Sequence, residues 1–220
     1  MVLTSRFVHR VPVFISFLAF MLVLSLFLAP LSVPEGTVTD LDANANWIDH
    51  GDRWKDMDLF PKLIYTFGDL NCHQIMDRTL IINGNQMPVC TRDVAIFIGV
   101  FFGALLLTRA IAHDHPSLVF TSILPKRSRK GYLGRHPAIL FTASIIILLA
   151  PTALDGGIQA LSTMSMLPWG MSYVSTNPTR ILAGFPMGVG LWILITSFMV
   201  SLLSRREDSS GNLVTYLVKD

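Results

Sequence analysis

ILAGFPMGVGLWILITSFMVSLL, residues 181–203, carries no charged side chain. As an α-helix rising about 1.5 Å per residue, it is long enough to cross a hydrocarbon layer of about 30 Å. Three more runs read the same way: Val11–Leu28, Val94–Ala112 and Ala138–Leu154. The rest of the chain agrees. Mean hydropathy is +0.53, and only 15% of the 220 residues are charged, too few to coat a soluble domain of this size. The pattern predicts an all-α membrane protein, a four-transmembrane-helix bundle with spans at about 11–29, 94–112, 138–154 and 181–203. The whole chain, 1–220, then forms one integral membrane domain.

Charge orients the bundle. The N-terminus, residues 109–137 and the C-terminal tail carry 11 of the 17 basic residues: Arg6, Arg10, Arg109, Lys126, Arg127, Arg129, Lys130, Arg135, Arg205, Arg206 and Lys219. The other face carries Arg53, Lys55, Lys62, Arg78, Arg92 and Arg180, and 11 of the 15 acids, from Glu35 to Asp155. The positive-inside bias places both termini in the cytoplasm of a multi-pass cell-membrane protein. Lys126–Lys130 reads as a topology anchor on anionic headgroups rather than a nucleic-acid patch. Membrane lipids are the expected partners, with no nucleic acid. Arg6 and Arg10 look like the basic region of a signal peptide. The apolar run behind them is too long for one, and Leu28-Ala29-Pro30 offers no A-x-A-like cleavage site. The first span is expected to stay attached.

The first outer loop is the only segment large enough for structure outside the bilayer. A linker from Pro30 to Gly36 leads into an acidic stretch, Asp40 to Asp58, whose Trp47 and Trp54 suit the headgroup region. Phe60, Leu63, Ile64, Phe67 and Leu70 recur at helical spacing and predict a helix over Leu59–Met76. Thr79–Ile82 and Gln86–Val89 read as two short strands joined at Asn83-Gly84, a tight-turn signal. Together, residues 59–92 make a small extracytoplasmic helix-plus-hairpin module.

The third run ends near Pro151. If its helix continues, Asp155 and Gln159 share one face. Trp169, in the loop that follows, reads as an interface anchor. Thr176 or Asn177 can cap the last helix, Pro178 suits its first turn and Pro186 predicts a kink. Gly99 with Gly103, and Gly184 with Gly188, allow close helix contact. Packing of the second span on the fourth is the first use expected of them, and a homodimer the second.

Polar chemistry concentrates at Cys72-His73-Gln74, Arg78, Gln86, Cys90, Arg92 and Asp93. Both cysteines of the chain are in this group, and three uses stay open. They can form a disulfide in an oxidising compartment. With His73 and Asp93 they offer four groups suited to zinc. They can be redox-active thiols, favoured as thiolates by Arg78 or Arg92. Arg180, a cation at a helix N-terminus, opposes the helix dipole and needs a carboxylate, for which Asp155 is the first candidate. His113 and His115 point apart on a helix and do not read as a metal pair.

The run Asn83-Gly84-Asn85-Gln86-Met87-Pro88-Val89-Cys90-Thr91-Arg92, preceded by Cys72-His73-Gln74 and Arg78, resembles a prokaryotic multi-pass membrane family called domain of unknown function 2085. Ala153-Leu154-Asp155-Gly156 with Gln159, and Ser175-Thr176-Asn177 with Arg180 and Gly184, extend the resemblance over about residues 60–200. It implies a small integral membrane protein with no established activity. Many members have His at the place of Asn85 and a further Cys at that of Asp93, a fuller metal-ligand set. Its loss here shifts the expectation toward a Cys72–Cys90 disulfide with no cofactor, zinc being the alternative.

The sequence thus predicts one outer polar pocket of Gln74, Arg78, Gln86, Arg92, Asp155, Gln159 and Arg180, binding an anionic or amphiphilic ligand. Its rivals are a membrane enzyme with a metal or redox site at Cys72, His73, Cys90 and Asp93, and an accessory subunit of a membrane complex.

Overall fold

The computed structural model describes residues 2–42, 47–125, 129, 135–166 and 172–217, with side chains from residue 10 to residue 205. The expected anchors Lys126, Arg127, Lys130, Trp169 and Lys219, and the side chains of Arg6 and Arg206, lie outside these limits. Among the described residues the chain is mostly helical, at 69%. Its helices are α1 (Val2–Leu28), α2 (Gly51–Trp54), α3 (Leu59–Asn71), α4 (Thr91–Leu107), α5 (Pro116–Ser122), α6 (Pro137–Thr163) and α7 (Asn177–Leu217). Strands β1 (Ile81–Ile82) and β2 (Asn85–Gln86) form an antiparallel hairpin. Asn83 and Gly84 take φ of +53° and +67° at its tip, the left-handed pair that a two-residue type I′ turn needs.

Among the described residues, three helical stretches are long and apolar enough to cross a membrane: Arg10–Leu31, Pro137–Thr163 and Asn177–Arg205. The second expected span falls short. Helix α4 has 17 residues, about 26 Å at 1.5 Å each, and stops at Leu107 rather than Ala112. The amides of Thr108, Arg109 and Ala110 bond back three residues instead of four, which tightens and ends the helix. Helix α6 runs the other way, past Pro151 to Thr163.

Two compact units share the chain. The first comprises Met1–Phe17, Gly99–Ala150 and Met187–Asp220. Its core gathers Leu107, Val119, Phe120, Phe141, Ile145, Val189 and Ile193. A Cβ on Gly103 would stand 3.1 Å from Trp192 Cβ and from Val189 O, so α4 rests directly on α7 there. His115 Nδ1 accepts from the Ser117 amide and caps α5. Asp114 O accepts from Ser201 Oγ and Arg205 Nε at 2.8 and 2.7 Å, tying the α4–α5 turn to α7.

The second unit comprises Leu18–Ile98 and Pro151–Pro186. Leu26 of α1 packs with Met87, Val89, Val94, Cys72 and Cys90. The hairpin is fastened by buried side-chain amides. Asn85 accepts from the Val38 amide at 2.9 Å and donates to Pro30 O and Pro34 O, each at 3.0 Å. Gln86 accepts from the Leu41 amide and donates to Gln74 O. Tyr65 Oη donates to Gln86 O at 2.8 Å. Trp54, expected at an interface, is instead buried and stacked on Tyr65, with its indole N–H on Asp69 at 2.7 Å; Trp47 is exposed. His50 also donates its amide to Asp69, so one buried carboxylate organises the acidic loop. The close approach of Gly184 to Arg92 O, 2.5 Å from a built Cβ, brings α7 against the start of α4. The expected packing of the second apolar run on the fourth is therefore present in each unit.

Candidate functional site

Three chain reversals in the second unit build the site. Helix α3 ends where Cys72 turns extended, five residues before the predicted end, and Gln74 takes φ of +48°. Few non-glycine residues adopt that conformation. Gln74 is held there by donating to Pro88 O at 2.8 Å while its own carbonyl accepts from Gln86. Gly68 makes the turn possible, because a Cβ there would lie 2.1 Å from Pro88 O. The second reversal is the hairpin, which delivers Cys90 to the N-cap of α4; its carbonyl accepts the Val94 amide. The third is the entry to α7, capped by Thr176 and tied to α4 by the Thr91 Oγ1 to Asn177 Oδ1 bond of 3.0 Å.

These elements and the end of α6 enclose a cavity of about 570 Å³. Gln74, Arg78, Arg92, Gln159 and Arg180 line it, as do Cys72, His73, Cys90 and Asp93. Six of the seven residues expected in one pocket are thus at this wall or directly behind it. Asp155 is one turn before Gln159 on α6, buried, and bonded to Arg92 of the lining. Gln86 is the exception. Both ends of its amide are engaged by backbone, and it is not among the residues lining the cavity.

The ion pairing differs from the expectation. Asp155 pairs with Arg92, not Arg180, and also accepts from Tyr173 Oη at 2.6 Å and Ser175 Oγ at 2.8 Å. The phenol of Tyr173 is raised above its ordinary range by donating to that carboxylate. Arg180 is 2% exposed and among the described residues bonds two neutral acceptors, Gln159 Oε1 at 2.7 Å and Ser175 O at 3.1 Å. Arg92 and Arg78 add repulsion to it, and Asp155 attracts it only through space. Among the described residues, three buried polar atoms of the lining have no partner: Gln74 Oε1, Arg92 Nε and Gln159 Nε2.

The expected disulfide is not formed. Cys72 and Cys90 are free and 3.7 Å apart, against about 2.05 Å for a bonded pair. Cys90 Sγ donates to Asp93 Oδ2 at 3.2 Å. Cys72 Sγ accepts from the amides of Cys90, at 3.2 Å, and Gln74. The hydrogen bond from Cys72 favours the thiolate at Cys90, while that contact and burial push Cys72 up. Cys72, Cys90 and Asp93 bring one ligand atom each within 4.8 Å of one another. His73, expected beside them, is exposed and outside this cluster.

The sequence alone gave no sign of the Asp69 cluster or of the role of Asn85, because both depend on contacts between distant segments. A family of sequences described as predicted membrane proteins, DUF2085, matches residues 72–194, the stretch that supplies most of the cavity wall. The uncharacterized protein MJ1492 of Methanocaldococcus jannaschii is 26% identical over 194 residues, which cover 88% of this chain and 94% of that protein. No solved structure matches.

Proposed function

The chain belongs to the DUF2085 family of predicted membrane proteins, and from that premise we propose that it binds an anionic group of a membrane-associated ligand in the cavity of Arg78, Arg92 and Arg180. One observation carries the reading: among the described residues, Arg180 is buried without a carboxylate of its own beside unpaired Gln74 Oε1, Arg92 Nε and Gln159 Nε2. An uncompensated buried cation costs several kcal/mol, and unpaired buried polar atoms about 1–3 kcal/mol each. A phosphate or carboxylate accepts from all three guanidiniums and from the Gln159 amide, which removes most of that cost. Gln74 Oε1 accepts a hydroxyl or ammonium of the same ligand.

In this reading α4 is a fourth, short span, both termini are cytoplasmic and the cavity opens at the outer face of the cell membrane. The basic bias of residues 109–137 supports that orientation. Exposed apolar side chains such as Ile146, Ile147 and Leu182 contact lipid.

The shared ligand chemistry is a phosphate ester, which a lipid headgroup or a free phosphate can supply. The test is thermal unfolding of purified full-length protein in phosphatidylcholine nanodiscs, with and without phosphatidylglycerol, and with inorganic phosphate. Stabilisation by phosphatidylglycerol alone identifies a lipid, and stabilisation by phosphate identifies a soluble anion. Both effects should shrink in Arg78→Gln, whose half-exposed side chain leaves the core intact. No stabilisation by either, or the same gain in Arg78→Gln, rejects the proposal.

A further inference from the structure

The geometry assigns a second binding function to the same cavity wall: a zinc-class divalent metal ion held by Cys72 Sγ, Cys90 Sγ and the Asp93 carboxylate. The inference does not rest on the anion reading, since its ligand atoms are different ones.

The spacing fits. Two sulfurs about 2.3 Å from one tetrahedral zinc stand about 3.8 Å apart, and a sulfur and a carboxylate oxygen about 3.5 Å apart. The cysteines here are 3.7 Å apart, and Cys90 Sγ is 3.2 Å from Asp93 Oδ2. Little has to move. The sulfurs are also prepared as acceptors. The amides of Cys90 and Gln74 donate to Cys72 Sγ, and the amide of Asp93 to Cys90 Sγ. Such N–H donors stabilise metal-bound thiolates and fix their direction. Both thiols are buried, so no bulk water competes for them from behind.

Charge sets the valence of the ion and the ligand atoms set its kind. Two thiolates and a carboxylate carry −3, a divalent ion brings the cluster to −1, and the guanidinium of Arg78 on the same wall offsets the remainder. Two sulfur ligands select zinc, cobalt or cadmium over magnesium and calcium. Binding releases the thiol protons. Three protein ligands leave one tetrahedral position, and the cavity is where a water or ligand oxygen reaches it.

The test uses full-length protein purified anaerobically in detergent and titrated with Co²⁺. One equivalent should give the visible bands of tetrahedral cobalt with thiolate charge transfer. Asp93→Asn should weaken Co²⁺ binding at least tenfold, and His73→Ala should leave it unchanged. Because Cys72→Ser can disturb the core, wild-type protein supplies a second readout. One equivalent of Zn²⁺ should slow alkylation of both cysteines at least tenfold. An absent cobalt spectrum with unprotected thiols overturns the inference. So does a Cys72–Cys90 disulfide in protein quenched without exposure to air.

Discussion

Arg92 Nη2 donates to Asp155 Oδ2, joining the first turn of α4 to the last turns of α6. Both side chains are largely buried, at 18% and 8% exposure. Removing one partner leaves a charge stranded, whereas replacing both need not. Asp155→Asn is therefore expected to cost about 3 kcal/mol in denaturation of the full chain in detergent. Arg92→Met with Asp155→Leu should recover most of that loss. If the single variant is as stable as wild type, the pair holds nothing together.

Gly68 and Gly157 make a matched comparison. A methyl on Gly68 meets Pro88 O and the Gln74 amide, backbone and side chain that both shape the cavity. Gly68→Ala should lower stability by about 1–3 kcal/mol. Gly157 is on α6 with nothing within 4 Å of the built Cβ. Gly157→Ala should gain about 0.5–1 kcal/mol from helix propensity. Thermal midpoints of the two variants should move in opposite directions.

Asn85 saturates three backbone groups of the segment that follows α1. Asn85→Ala strands the Val38 amide and two carbonyls in a buried place. A loss of about 2–4 kcal/mol follows, with Trp54 fluorescence shifting to the red as the loop loosens.

Burial pushes the Tyr65 phenol above its usual value of 10.0. A raised native value means the stabilisation is whole below pH 10 and fades as pH climbs beyond it, because the unfolded chain ionises first. Tyr65→Phe should start about 1 kcal/mol less stable at neutral pH, having lost the bond to Gln86 O, yet decline less above pH 10. Equal slopes for the two proteins would remove Tyr65 from the alkaline transition.

His73 is exposed beside two buried thiols. In whole cells, His73→Cys should react with a membrane-impermeant maleimide added outside. Labelling only after the membrane is opened would reverse the proposed orientation.

What could be read from the chain was whatever depends on spacing or on one residue's backbone preference. Asn83-Gly84 names its own turn, and Asp155 with Gln159 share a face because four residues make about one helical turn. Neighbours across the fold follow from no such rule. Asp155 and Arg180 did reach one site, but Arg92 reached the carboxylate instead. Gln86 looks like a ligand-binding amide in sequence and serves, like its neighbour Asn85, as a backbone staple in space. The two cysteines were correctly placed together, yet proximity in the fold does not make a covalent bond. Helix α4 ended early because a turn of shifted hydrogen bonds overrode an apolar pattern that ran on to Ala112.

The staple at Asn85 and the carboxylate of Asp69 hold the chain on both sides of the exposed Lys55. A tryptic cut at that lysine would sever the peptide without freeing the pieces. The nicked particle should migrate as one species on a native gel and fall into two fragments in sodium dodecyl sulfate, so the two halves are candidates for co-expression as separate polypeptides that find each other in the bilayer.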